Sequence, residues 1–95
     1  MRVAFTTELR LYPGDGGWGY VVLPPDAAAQ VKFFGVAAKG FGSVRVEVTI
    51  GKSRWKTSAF RDSKSGSYLL PIKATIRKAE KITFGDQPKI ALEIL

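Results

Sequence analysis

The side chains best suited to chemistry are basic residues interleaved with aromatic residues in the second half of the chain. Lys73, Arg77 and Lys81 recur every four residues, so a helix there would carry them on one face as a basic ridge. Cations attract phosphate groups and aromatic faces stack on unpaired bases, so this pattern favours contact with nucleic acid or another polyanion. The preceding hairpin and its turn add further residues of both kinds: Lys52, Arg54, Trp55, Lys56, Phe60, Arg61 and Lys64.

A second interpretation is a site for an anionic small molecule, or for a protein partner, at the mouth of a β-barrel. Tyr68, Lys73 and Arg77 follow one another around the corner at Pro71, and Trp18 follows a glycine-rich segment. Barrel mouths are common ligand sites. The alternative is that Tyr68 and Trp18 fill the barrel ends and that the lysines form a solvated helix face. We expect Lys73 and Arg77 to contribute to binding under either functional interpretation.

The composition argues against an enzyme. The sequence contains neither histidine nor cysteine, so the usual general base and the usual zinc ligands are missing. The serines therefore have no histidine to activate them, and a Ser65–Lys73 or Ser67–Lys73 pair is a weak alternative. The acidic residues are scattered along the chain. We therefore predict a binding domain without catalytic residues, metal or cofactor.

The net charge of +7 is concentrated in one part of the sequence. Residues 39–81 hold eleven of the fifteen basic residues but only three of the eight acidic ones, which favours an anionic partner. Charged residues interrupt the first ten positions, so no signal peptide is predicted, and no apolar run reaches the roughly 18 residues of a membrane span. We therefore expect a cytoplasmic protein without membrane contact.

The elements that must position these residues are mostly short strands. Residues 3–11 alternate, with Val3, Phe5, Leu9 and Leu11 on one face, as is typical of a half-buried strand. Residues 13–17 are rich in glycine and predict a turn. Further strands are predicted at 18–23, 44–50, 54–61, 67–70 and 89–95, with a turn at 62–66 and helices at 26–34 and 72–80.

Proline, glycine and apolar spacing define the two predicted helices. Pro24 and Pro71 are expected to end the strands that precede them, and Gly35 is expected to end the first helix. The inner faces should carry Ala27, Val31 and Phe34 in the first helix and Ile72, Ile76 and Ala79 in the second.

The central hairpin has a predictable register. A type II′ turn at residues 51–52 places Val48 opposite Trp55, so Trp55 should face the core. By alternation Phe60 falls on the outer face with Lys56, where its ring is available for stacking.

The chain also contains a weak internal repeat. Leu23-Pro24 and Leu70-Pro71 each precede a helix, and Phe41-Gly42-Ser43 and Phe84-Gly85-Asp86 each precede a strand. Asp86 is expected to cap its turn. Two such halves predict a mainly β fold, in which residues 1–95 form a single six-stranded, pseudo-two-fold, double-split β-barrel with two short capping α-helices.

These motifs resemble the bacterial family known as domain of unknown function 1905. The resemblance implies a small β-barrel related to the swapped-hairpin barrels of AbrB-type DNA-binding regulators, and no established biochemical role. In some relatives a YdeI/OmpD-associated domain follows. AbrB-type barrels are dimers, whereas this chain carries both halves, so we expect a monomer. The resemblance is carried by Gly17-Trp18, Val22-Leu23-Pro24, residues 40–44 and 48–51, Trp55 to Ser58, Gly66 to Pro71 with Lys73 and Arg77, and Gly85-Asp86.

Overall fold

The computed structural model describes residues 2–12, 18–34 and 43–95. These residues form a mainly β fold, in which seven antiparallel strands make one sheet that curls into a half-barrel beside two short helices. The strand order is β1-β7-β4-β5-β6-β3-β2. The elements are β1 (Arg2–Thr6), β2 (Arg10–Leu11), β3 (Gly19–Val22), α1 (Pro25–Phe34), β4 (Ser43–Ile50), β5 (Ser53–Asp62), β6 (Ser67–Ile72), α2 (Ala74–Ala79) and β7 (Lys89–Ile94).

The first predicted strand is divided into two, which is why the sheet has seven strands rather than six. β1 pairs with β7 at one end of the strand order, and β2 pairs with β3 at the other. Between them the Thr7 hydroxyl donates to the Val22 carbonyl (2.9 Å), and the Leu9 N–H donates to the Asp86 carbonyl (2.8 Å). Leu9 is fully buried, but Leu11 is 52% exposed, so its predicted place on the buried face is wrong.

The central hairpin confirms the predicted register. Every predicted β4–β5 pair is present, including Val48 opposite Trp55 and Glu47 opposite Lys56. Trp55 is buried and Phe60 is 48% exposed, as the alternation predicts. The turn that fixes this register needs glycine, because Gly51 has a φ of 58° and a side chain there would collide with the Glu80 carboxylate.

The prediction that Pro71 ends its strand is wrong, because β6 continues to Ile72. The Leu23 N–H donates to the Tyr68 carbonyl, so these two residues form a hydrogen-bonded pair. Hydrogen-bonded and non-hydrogen-bonded pairs alternate along an antiparallel ladder, so Pro71 and Tyr20 form a non-hydrogen-bonded pair. β5 pairs with β6 only as far as Leu69, so the N–H that proline lacks has no partner strand on that side either. The ladder therefore loses no hydrogen bond at Pro71.

Helix α2 is shorter than predicted, and each helix exposes one residue that was predicted to face the core. α2 covers Ala74–Ala79, so Ile72 is buried from a strand, Ile76 is buried from the helix, and Ala79 is exposed. α1 buries Ala27 and Val31 as predicted, but Phe34 is 46% exposed, so its predicted inward position is wrong. The predicted turn at 13–17, the helix end at Gly35 and the motif residues 41–42 lie outside the described residues.

The core lies between the concave face of the sheet and α1, which packs against β1 and β6. Alternate residues of β4 and β7 are fully or nearly fully buried, including Val46, Val48, Ile90 and Leu92. The polar Ser67 side chain is also buried in this core, and its hydroxyl donates to the Leu23 carbonyl at 2.7 Å. The intervening residues of β4 and β7 point outward from the convex face of the sheet.

Candidate aromatic and basic groove

A groove of about 420 Å³ lies on the outer face of β2, β3 and β6, and the turn between β5 and β6 also lines it. Strand alternation explains its floor: Val21 is fully buried, so Tyr20 and Val22 point outward from β3. The register of β2 against β3 sets Arg10 opposite Tyr20. The residues that line the groove are Arg10, Tyr12, Tyr20, Val22, Asp62, Lys64, Ser65 and Leu69.

Three aromatic side chains form a cluster, and two of them, Tyr12 and Tyr20, line the groove. Tyr12 and Trp18 are stacked, with ring centroids 4.5 Å apart and planes 18° apart. Tyr20 packs edge-on against Tyr12 at 5.6 Å. The Tyr12 N–H donates to the Trp18 carbonyl at 2.9 Å, which holds the stacked pair on adjacent backbones. Tyr12 and Trp18 remain 40% and 38% exposed, so part of each ring is available to a ligand.

An apolar row extends the groove across the convex face. Val22 lies opposite Leu69 in the β3–β6 ladder, and Leu69 lies opposite Phe60 in the β5–β6 ladder. Phe60 is therefore connected with the groove through Leu69. An exposed aromatic and aliphatic surface of this kind is a feature of binding sites.

Among the described residues, the charged groups that line the groove are two cations and one carboxylate. Arg10 lies beside the aromatic cluster, and its ion pair with Glu8 is long (3.9 Å) and exposed. Lys64 lies on the β5–β6 turn, where the Lys64 and Ser65 N–H groups donate to the Asp62 carboxylate at 3.4 and 3.2 Å. The Ser65 hydroxyl and these two N–H groups lower the pKa of the Asp62 carboxyl below its ordinary value. Asp62 is therefore ionised at neutral pH and holds the turn together.

The structure distributes the predicted site residues over several surfaces. Trp18 lies at the groove, and Phe60 is joined to it. Tyr68 is buried and, with exposed Arg61, lines a different cavity beside α1. Lys73 is exposed at the N-terminal boundary of α2.

Arg54 and Lys56 point outward from the middle of β5, where acidic residues surround them. The β-sheet register sets Lys56 opposite Glu47, Glu47 opposite Glu93, and Glu93 opposite Arg2. Arg54 lines a depression with Arg2, Glu47 and Glu93. Two carboxylates therefore share this part of the predicted basic surface with three cations and lower its net charge.

Arg77 is partly a packing residue. Its guanidinium carbon lies 5.0 Å from the centre of the Phe84 ring, and a side chain on Gly19 would come within 3.2 Å of its Cδ atom. Its Nε atom is buried and has no hydrogen-bond partner among the described residues. Gly19 pairs with Ile72, at the opposite end of β6 from Tyr68. The structure therefore does not bring Tyr68 and Arg77 together.

Sequence reasoning missed Arg10, Tyr12 and Tyr20 as parts of a site. The available signal was the group of aromatic residues on both sides of the glycine-rich segment.

Asp86 behaves as predicted, because its carboxylate accepts the Thr83 N–H at 2.8 Å. Within residues 2–12, 18–34 and 43–95, no group of three or more acidic side chains is arranged to hold a metal ion. None of the helices in those residues is long and apolar enough to cross a bilayer.

The fold and the surface together define a small, mainly β domain with an exposed aromatic and basic groove. The chain belongs to the family described as Domain of unknown function (DUF1905), whose family model matches residues 5–92. No curated protein matches the chain.

Proposed function

We propose that the groove binds single-stranded nucleic acid with little sequence preference. The observation that carries this proposal is the stacked, part-exposed Tyr12–Trp18 pair, in which Tyr12 lines the same groove as Arg10 and Lys64. An aromatic face can stack on any base, whereas a basic side chain attracts the phosphate that follows it. The net charge of +7 supports attraction of a polyanion over longer distances.

The composition of the groove favours stacking over base-edge readout. Its floor consists of Tyr20, Val22 and Leu69, which offer apolar surface to a base. Asp62 is the acidic residue among the described ones that line it, and its oxygens already accept the backbone N–H groups of the turn. Phe60, in line with Leu69, extends the surface along which successive bases would lie.

The same proposal includes the architecture implied by the resemblance to AbrB-type barrels. The strand pairings support a pseudo-two-fold relation in which β1 and β2 together correspond to β5, β3 corresponds to β6, and β4 corresponds to β7. The corresponding strands β3 and β6 pair with each other, as do β4 and β7. β5 pairs with β4 and β6, just as β1 pairs with β7 and β2 pairs with β3. Because both halves lie in one chain, the proposed binding unit is a monomer. The proposal places this monomer in the cytoplasm. The lack of histidine and cysteine supports a role without catalysis.

The test is a titration of a fluorescein-labelled oligothymidylate, followed by anisotropy over a series of salt concentrations. We expect affinity to fall steeply with salt, because binding releases counterions. The Tyr12→Ala/Trp18→Ala variant should bind at least about tenfold more weakly, since each stacked base contributes about 1–3 kcal/mol. Its salt slope should stay close to that of the parent protein, because no cation has been removed.

The matched control is Phe33→Ala/Phe34→Ala, which removes another exposed aromatic pair, on α1, in edge-to-face contact at 4.9 Å. This control should retain parental affinity. Equal losses in the two double variants would contradict the proposal, as would the absence of binding at the lowest salt concentration. Circular dichroism of each variant would verify that the fold is intact.

A further inference from the structure

A second cavity, of about 410 Å³, lies between α1 and the start of β6. Its wall is apolar: Leu23 and Pro25 come from the entry to α1, Ala28 and Ala29 from the helix, and Tyr68 from β6. The small alanine side chains of α1 leave space that larger residues would fill. The volume lies within the roughly 300–1,000 Å³ of small-molecule sites.

Two cations from different elements line this apolar space. Lys32 comes from the last turn of α1 and Arg61 from β5, and both are exposed. Within residues 2–12, 18–34 and 43–95, no acidic residue lines the cavity. Two acidic residues are sequence neighbours of its lining: Asp26, beside Pro25, is exposed in the first turn of α1, and Asp62, beside Arg61, accepts two backbone N–H groups within its own turn. Among the described residues, the cavity therefore combines an apolar wall with two cations at its edge.

We infer that this cavity binds a small amphipathic carboxylate, such as a medium-chain fatty acid or an aryl carboxylic acid. The apolar body would lie against Leu23, Ala28 and Tyr68, where its burial removes hydrocarbon from water. The carboxylate would lie near Arg61 and Lys32, because a guanidinium offers paired donors to a planar anion. A nucleotide fits this site less well, since the wall provides few polar partners for a base and a sugar.

This inference does not depend on nucleic-acid binding at the groove. The cavity and the groove share Val22 and Ser65, but the residues that would hold the carboxylate do not line the groove, and the stacked Tyr12 and Trp18 do not line the cavity. Failure of one proposal leaves the other standing.

The test is an NMR titration of the ¹⁵N-labelled protein with octanoate and, separately, with 1-octanol. We expect octanoate to shift the amide signals of residues 28–32 and 65–68, and to bind about tenfold more tightly than the alcohol. Arg61→Gln should weaken octanoate binding about tenfold and leave octanol binding unchanged. Lys78→Gln, which removes an exposed cation on α2, is the matched control and should leave both affinities unchanged.

A blocking variant separates occupation of the cavity from surface attraction. Ala29 lines the cavity from an exposed position, so Ala29→Phe should fill the entrance and abolish both octanoate and octanol binding while the amide spectrum stays dispersed. Equal affinity for octanoate and octanol would overturn the inference. So would equal losses in Arg61→Gln and Lys78→Gln, or shifts that do not include residues 65–68.

Discussion

The groove and the basic ridge of Lys73, Arg77 and Lys81 bring positive charge to the surface in different ways. In the groove, Arg10 and Lys64 share the lining with Tyr12, which stacks on Trp18. In the ridge, Arg77 instead packs over Phe84 and against Gly19. Lys73 and Lys81 both lie outside the six-residue helix, so the predicted basic helix face is wrong. The comparison teaches that residues at regular sequence spacing need not form one charged surface, whereas residues from separate elements can share one.

The largest expected effect comes from exchanging cations for neutral residues on the two surfaces. Arg10→Gln/Lys64→Gln should weaken oligothymidylate binding about 10- to 50-fold at low salt, since two charged contacts are lost. It should also reduce the salt slope by about 1.4, at about 0.7 for each phosphate contact on a single strand. Anisotropy titrations over a series of salt concentrations measure both quantities.

The matched variant on the ridge is Lys73→Gln/Lys81→Gln, which removes the same charge from exposed positions. It should change affinity less than about threefold, through weaker long-range attraction alone. If the ridge were the contact surface, the results of the two double variants would be exchanged, and the proposal for the groove would fall.

A smaller effect concerns how much the ridge residues contribute to the free energy of unfolding of the protein. Arg77→Ala should lower the free energy of unfolding by about 1 kcal/mol, because the side-chain stem loses its packing over Gly19 and the guanidinium loses its contact with Phe84. Lys73→Ala, at an exposed position of the same ridge, should change it by less than about 0.5 kcal/mol. Urea denaturation measures both, and equal effects would contradict a packing role for Arg77.

The features that sequence predicts well are those that neighbouring residues determine. The β4–β5 register follows from strict alternation and from a turn in which Gly51 has a positive φ. The burial of Trp55 and the exposure of Phe60 then follow from the same register. Local alternation and one glycine are sufficient for this hairpin because its two strands are adjacent in the chain.

The features that sequence misses depend on pairings between distant segments. Thr7 continues the alternation of the first strand, so nothing local reveals that its hydroxyl binds the Val22 carbonyl where the strand breaks. Pro71 can remain in β6 only because its N–H would face no partner strand there. The groove has the same origin, since Arg10, Tyr20 and Lys64 come from separate elements that meet only in the folded sheet.

The smallest expected effect concerns the pKa of Asp62, whose carboxylate adds one negative charge to a groove that is also lined by Arg10 and Lys64. Ser65→Ala removes the hydroxyl that does most to lower the pKa of the Asp62 carboxyl, so this pKa should move up toward its ordinary value. Ser63→Ala, on the same turn, should leave it unchanged. Carboxyl ¹³C shifts recorded over a pH series measure the midpoint for each variant.

The direction of the stability effect follows from the same lowered pKa. A carboxyl whose pKa is lowered by folding stabilises the folded state above its unfolded-state pKa, and this contribution is lost as pH falls through the folded-state pKa. The stability difference between the parent protein and Ser65→Ala should therefore be constant at neutral pH and shrink in strong acid, below the ordinary range of aspartate. A residual difference is expected there, because the Ser65 hydroxyl also accepts the Ser67 N–H at 3.2 Å. A difference that grew with acidity would show that the Ser65 hydroxyl does not favour the ionised form of Asp62.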